Sequence, residues 1–365
     1  MKKIFFTLLF ISHTIFSQQI ETFNYPKDHY RVETKDFKIN PTLNYQVLNE
    51  AYFPVTLEDL NLKKGKPIKN ISYYYNDDNT KACSLEFTPE GKIAMTEDFY
   101  RNEKITFNYS KEIIIRKKYE IRNDKSERVF SIDSIVYDQN QNIIRKSLTN
   151  YDLKQKNYKI QIEDYEYLEK NKLVKMYRYS IVENIPYIEG YLSVYEHENN
   201  LITEKIYYFK HNNHYTKELK KDSLSIDSNF KKNVYYLNKK GEISKFDQFI
   251  TDKSKEKSTS LIYDNFSRIN FITTTMQFDN SNTDSFKFDI NNNIIEFTYD
   301  GAIRKCKYDK NNNVISDILT DKESNENMFT AKYTYQYDIN NNWTTIVFFK
   351  NGSLDTKMTR KINYY

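Results

Sequence analysis

Tyr337-Asp338-Ile339-Asn340-Asn341-Asn342-Trp343 is the stretch from which the fold is read, because close relatives of it recur along most of the chain. It has the chemistry of a β-hairpin corner. An aromatic ends a strand, Asp can accept a backbone hydrogen bond from two residues on, and Asn tolerates the left-handed region where the chain reverses. A branched or aromatic residue then opens the next strand. Nine copies begin at Phe87, Tyr137, Tyr167, Tyr195, Leu237, Tyr263, Phe288, Tyr308 and Tyr337. Their fifth position, held in turn by Gly91, Gln141, Asn171, Asn199, Gly241, Ser267, Asn292, Asn312 and Asn341, is the predicted site of positive φ. Gln141 and Ser267 fit that slot less well. A shortened tenth version, Phe349 to Leu354, carries Asn351-Gly352, the strongest short-range hairpin signal.

Working outward, short strands about every ten residues from Ile71 onward predict an all-β fold. The expected architecture is an antiparallel meander of β-hairpin repeats, forming an elongated twisted sheet or open barrel. Tyr333, Tyr335 and Tyr337 alternate with Lys332, Thr334 and Gln336, and Cys306 and Tyr308 alternate with Lys305 and Lys307. Successive heptapeptides leave room for two strands and a connection at the opposite end. Those opposite connections vary, as at Asn150–Asn157, Lys210–His214, Asp279–Asn282 and Asp321–Asn327. One end of the sheet should therefore be regular and the other irregular, and function in repeat proteins tends to sit where insertions are tolerated.

Upstream the texture differs. Lys2 and Lys3, the apolar run Ile4 to Ile11 and the small residues Ser12 and Ser17 read as a secretory signal peptide over residues 1–17, with a run too short to span a membrane. No Cys follows that run, so no lipid-attachment signal is read. Residues 18–69 lack the repeat and hold four of the six prolines. They form an expected irregular segment with one short helix, signalled by Thr56, Asp59 and the leucines before Gly65. Residues 70–365 form the repeat domain.

Of the 365 residues 16% are aromatic, with 33 Tyr and 24 Phe against only 6 Gly. Tyrosine suits a half-exposed sheet, its ring packing while its hydroxyl stays wet. Net charge is +5, and +3 once Lys2 and Lys3 are set aside. With both signs interspersed there is no basic stripe for phosphates, so nucleic acid is not an expected partner. Cys83 and Cys306 are read as free thiols buried in strands, although a pairing stays open. Two cysteines leave no cysteine-built zinc site.

Tyr335-Gln336-Tyr337-Asp338-Ile339-Asn340-Asn341-Asn342 and Tyr308-Asp309-Lys310-Asn311-Asn312-Asn313 resemble the YD, or Rhs, repeat, in which Tyr-Asp, two free residues and Gly-Asn or Gly-Arg mark the turn. The resemblance is loose from Phe87 to Leu354 and closest in the last third. It implies curved β-sheets of the kind that enclose a toxic cargo or form extracellular scaffolds. Here the turn glycine is mostly Asn, and no cargo domain is read after Tyr365, so a scaffold is the expectation.

The chemistry-bearing residues have plainer explanations as turn, loop and core residues. Asp289, Asn291 and Asn293 have calcium-loop spacing, but Ile294 and Asp300 stand where an EF-hand needs Gly and Glu, so turn chemistry is preferred. His211, His214 and His197 read as exposed turn or loop histidines. Glu163 and Asp164 are adjacent in a strand and should face opposite ways as solvated charges. Trp343 occupies the slot of Ile294 and Val314 and should pack. No nucleophile elbow or phosphate-binding loop is present. No catalytic, cofactor-binding or metal-ligating residue is named and no cofactor is expected. The expected function is a secreted, non-catalytic binding or scaffolding module at the bacterial cell envelope, partnered by an envelope protein or polysaccharide, without a membrane span in the mature chain. The rivals are a secreted glycan hydrolase with sheet-face carboxylates and an outer-membrane barrel, the second opposed by Lys and Glu on both sheet faces.

Overall fold

The computed structural model describes residues 66–365 apart from 76–80, 153–156, 170–171, 184, 186, 213–218, 252–253, 277–280 and 300. The expected signal peptide, the helix near Thr56 and all of the irregular segment before residue 66 lie outside the described residues, as do Asn171 and His214.

Twenty-two strands follow one another in a single antiparallel meander. They are β1 (Ile68–Tyr75), β2 (Lys81–Phe87), β3 (Ile93–Asp98), β4 (Glu103–Tyr109), β5 (Ile113–Ile121), β6 (Glu127–Tyr137), β7 (Ile143–Asp152) and β8 (Asn157–Glu169). Then come β9 (Lys172–Val182), β10 (Tyr187–Glu198), β11 (Leu201–Asn212), β12 (Ser225–Leu237), β13 (Ile243–Phe249), β14 (Lys255–Tyr263) and β15 (Ile269–Met276). The last are β16 (Asn282–Phe288), β17 (Ile294–Tyr299), β18 (Ala302–Tyr308), β19 (Val314–Asp321), β20 (Asn327–Tyr337), β21 (Trp343–Lys350) and β22 (Ser353–Tyr364). Each strand pairs with the next, and β22 pairs back onto β1 from Ile68↔Tyr364 to Tyr75↔Met358. The sheet thus closes into a barrel and leaves no open edge among the described strands. The sequence alone leaves closure undecided between an elongated sheet and an open barrel.

The heptapeptides are the turns of one rim. All eight described left-handed positions have positive φ, from 48° at Asn199 to 79° at Gly241, with Gln141 and Ser267 included at 66° and 63°. At the best copy Asn341 N–H donates to Asp338 O (3.1 Å) and Asp338 N–H to Asn342 O (2.9 Å). The pairing slips by one residue between Gln336 and Tyr337. This is a three-residue hairpin whose left-handed residue makes a bulge. Asp338 Oδ1 accepts the N–H groups of Asn340 (2.9 Å) and Asn342 (3.0 Å). Asp138, Asn238, Asp264, Asp289 and Asp309 accept the same pair of donors in their own turns. One further turn on this rim, Ser110 to Ile113, has no left-handed residue and carries no signature. The shortened tenth copy is a two-residue hairpin, with φ of 48° at Asn351 and 85° at Gly352, but it lies on the opposite end.

The tyrosine that marks the repeat has its own partner. The hydroxyls of Tyr167, Tyr263 and Tyr308 donate to Ile143 O (3.0 Å), Ile243 O (2.8 Å) and Ile294 O (2.7 Å), each the residue that opens a strand after the preceding turn. Tyr335 does the same to Val314 O (2.8 Å), and the Arg360 guanidinium to Trp343 O. A bulge leaves this carbonyl outside the regular ladder, and a buried carbonyl needs a donor.

The alternation read from the sequence is observed, with Tyr333 and Cys306 buried on the inner face and Lys332 and Lys305 exposed. The largest core joins Ile71, Leu85, Ile93, Ile105, Val314, Ile346 and Met358 around the closure of β1 on β22. Trp343, 2% exposed, packs there against the Tyr73 ring edge and under the Arg360 guanidinium. Burying each such apolar side chain contributes about 1.5–3 kcal/mol. Cys83 and Cys306 are both buried and free.

Candidate functional site

The inner face holds a hollow of about 660 Å³ toward the irregular end, spanning β5 to β11. A cavity shared by one face of seven neighbouring strands requires that face to be concave. Register builds its wall from two cross-strand rows. The first runs Ile135, Lys146, Glu163, Arg178, Tyr191, Tyr208, each residue directly opposite the next. The second runs Asp133, Leu148, Gln161, Ser180, Glu189, Lys210. Arg116, Lys159, Val182, Ile185 and Tyr187 complete the mouth.

The lining is paired charge and aromatic surface. Arg116 Nε meets Asp133 Oδ2 at 2.6 Å, and Arg178 Nε meets Glu163 Oε1 at 2.8 Å. Tyr165 donates to Glu163 (2.5 Å) and Tyr208 to Glu189 (2.7 Å). Burial alone would raise the Glu163 pKa, but the Arg178 and Lys146 charges and the Tyr165 hydroxyl outweigh it and hold the carboxyl below its ordinary value. The Tyr191 ring stands edge-on to Tyr208 at 5.9 Å and is 53% exposed into the cavity. Gly190 lets β10 approach β9 closely, since a Cβ there would lie 2.2 Å from Arg178 O. Chemically the wall offers forked donors and acceptors at fixed spacing beside flat rings.

Several residues sit otherwise than expected. Glu163 and Asp164 do face opposite ways, but Asp164 is not a solvated charge. It is buried on the outer face, where Arg145 Nε (2.5 Å) and the Tyr179 hydroxyl (3.1 Å) satisfy it. His211 is likewise not an exposed loop histidine. It lies in β11, buried, with Nδ1 3.2 Å from Ser223 O. The connection after β11 folds over the outer face here, packing Leu219 and Leu224 on Tyr177, Tyr179 and Phe209, with Lys221 Nζ 2.6 Å from Glu166. His197 ends β10, half-buried, 2.7 Å from Leu173 O. Asp289 has its carboxylate occupied by turn donors, Asn291 and Asn293 N–H on Oδ1 and the Asn293 amide (2.9 Å) on Oδ2. No group of three or more His, Cys, Asp or Glu placed to hold a metal occurs among the described residues.

No local sequence signal marks the hollow. Each member is an ordinary charged or aromatic strand residue, and only the register gathers residues 116 to 208. The one available signal was position, because the irregular end was the expected place for function and the mouth lies there.

No protein-family model matches the chain, and no curated protein is similar to it in sequence. Among solved structures, TcdB2-TccC3 is similar over 73% of this chain at 8% identity and a TM-score of 0.33, and the chain spans 18% of its length. A porin-like protein from Bacteroides uniformis ATCC 8492 is similar over 81% of this chain and 98% of its own, at 9% identity and a TM-score of 0.27. A second, from Bacteroides vulgatus ATCC 8482, covers 82% and 99% at 10% identity and a TM-score of 0.25. Likenesses this distant carry no functional weight.

Proposed function

We propose that the chain is a secreted, non-catalytic binding module of the bacterial cell envelope that holds an envelope polysaccharide in the hollow. The observation that carries this reading is the pair of cross-strand rows, which set the Arg178–Glu163 pair beside the Tyr191 ring, with Tyr208 on the next strand and the Arg116–Asp133 pair across the hollow on β5 and β6. Sugar hydroxyls come in vicinal pairs that match forked carboxylates and guanidinium groups, and their C–H faces lie flat on aromatic rings. A rigid sheet holds such groups at small entropic cost on binding.

Two rivals fit less well. A glycan hydrolase needs a carboxyl acid with a raised pKa beside an ionised partner, and Glu163, held low, could fill only the second role. A membrane-spanning barrel needs an uncharged outer band, whereas Lys287, Glu296 and Lys305 lie side by side there on β16, β17 and β18. The test is affinity electrophoresis of the purified protein in gels cast with envelope polysaccharide fractions. Retarded migration in at least one fraction is the expected result. Unretarded migration in all of them, with capture of an envelope protein instead, would transfer the role to a protein partner.

A further inference from the structure

The regular rim is split into two arcs of different chemistry, and one arc carries apolar tips that the hairpin geometry does not require. The turns joining β12–β13, β14–β15, β16–β17, β18–β19 and β20–β21 are consecutive along this rim. Side chains lock them together laterally. Lys240 Nζ reaches Ser267 Oγ (3.3 Å), and Arg268 reaches Asp289 O (3.0 Å) and Asn292 Oδ1 (2.9 Å). The Asn293 amide reaches Asn312 Oδ1 (3.1 Å), and the Tyr337 hydroxyl reaches Asp309.

At the tips of this locked arc stand Phe266, Ile290 and Ile339, which are 77%, 96% and 96% exposed. Between and beside them the exposed charges are Lys239, Lys240 and Lys310. The acidic residues of the same five turns are taken up by hydrogen bonds within the turns. Asp264, Asp289, Asp309 and Asp338 are half-buried, bonded within their own turns, and Glu242 is buried against Asn238 (2.6 Å). No exposed carboxylate remains on the arc. The other arc differs, with Glu90 and Glu198 exposed on the turns after β2 and β10.

Turn positions are chosen for polarity and conformation, so Ile at a fully exposed tip gains nothing for the hairpin. Three such tips held on one stretch of rim by linked turns and interleaved with lysines match a surface that is apolar below and anionic above. We propose that this arc docks the barrel on an anionic lipid surface. Phe266, Ile290 and Ile339 enter the headgroup region while Lys239, Lys240 and Lys310 meet lipid phosphates. The protein lies on such a membrane without crossing it, and the hollow at the opposite end opens away from the lipid. This inference does not depend on what the hollow binds.

Vesicle co-sedimentation of the purified protein tests it, comparing phosphatidylglycerol–phosphatidylcholine vesicles with phosphatidylcholine alone. Sedimentation with the anionic vesicles only is expected, reduced about tenfold or more in the Ile290→Asp/Ile339→Asp variant and unchanged in Glu90→Ala. Those two isoleucines are almost wholly solvent-exposed, and an unchanged melting temperature will confirm that the double variant folds. The proposal is overturned if the wild type stays in the supernatant with anionic vesicles. It is equally overturned if the double variant sediments as the wild type does, since generic attraction of a basic protein would then suffice.

Discussion

The Tyr337 hydroxyl donates to the carboxylate of Asp309, so the aromatic that ends one strand is tied to the turn of the preceding repeat. Tyr364 stands in the same relation to Asp338, and the Asn342 amide donates back to the Tyr364 oxygen (3.0 Å). At the C-terminal end of the sheet the turn aspartate is therefore also a contact between neighbouring repeats, where the tyrosines of earlier copies bond a strand-opening carbonyl instead. Hydrogen bonds to charged groups contribute about 1.5–3 kcal/mol. Tyr337→Phe should destabilise the protein by about that amount in urea unfolding. A double-mutant cycle with Asp309→Asn should return most of the loss as coupling. Additive effects would show that the bond contributes little.

Ser267 adopts a φ of 63° without the side chain best suited to it. A left-handed conformation costs a residue with a Cβ about 1–2 kcal/mol. Ser267→Gly should therefore raise the unfolding free energy, by about 1 kcal/mol or less once the extra freedom of the unfolded chain is counted. Ser267→Val should lower it by more than that. Equilibrium unfolding of both variants checks the sign.

Burial and the neighbouring Asp317 carboxylate push the Cys306 thiol up to about 12, and burial pushes the Cys83 thiol well above its ordinary value. Since the thiolate is the reactive form, neither cysteine should react with a soluble alkylating agent at neutral pH in the native protein. Both should react once the chain is unfolded in denaturant. Mass spectrometry before and after unfolding reads the result.

Burial raises the phenol pKa of Tyr109 to about 12, and burial raises Tyr263, Tyr333 and Tyr335 as well. A group whose pKa is higher in the folded state contributes stability that is complete below its unfolded value and is lost as pH rises. The unfolded tyrosines ionise near pH 10. The urea midpoint should therefore fall steeply from about pH 10 upward. At the acid end the sign reverses. Glu163 and Asp247 are held below their ordinary values, each against the opposing effect of burial, so their contribution is lost as pH falls below about 4.

Ser72 and Lys361 face each other across the β1–β22 seam. Directly paired antiparallel residues have Cα atoms about 4.5–5.5 Å apart, within disulfide range. Ser72→Cys/Lys361→Cys should form an intrachain disulfide under mild oxidation. Free thiols or cross-linked dimers would mean that the sheet does not close.

What the sequence disclosed follows from how local the physics is. The rim turns were legible because positive φ at Asn341 or Gly241 and the Asp338 side-chain bonds are decided within five residues. The turn at Ser110 was missed because it uses no left-handed residue. Closure of β22 on β1 joins residues nearly three hundred apart and leaves no local mark. The buried Asp164 and His211 read as surface residues because their partners, Arg145, Tyr179 and Ser223, come from elsewhere in the chain. The hollow is hidden for the same reason, since Arg178 and Tyr191 become neighbours only through strand register.

Tyr191 offers the most direct access to the binding role, because its ring faces the hollow, is half exposed and can be removed without opening the core. The measurement is a calorimetric titration of wild type and Tyr191→Ala with the polysaccharide fraction that retards the protein in gels. Loss of the ring should weaken binding about tenfold, or about 1.4 kcal/mol, with the melting temperature unchanged. Equal affinity in the two proteins would place the ligand outside the hollow and contradict the binding role assigned to it.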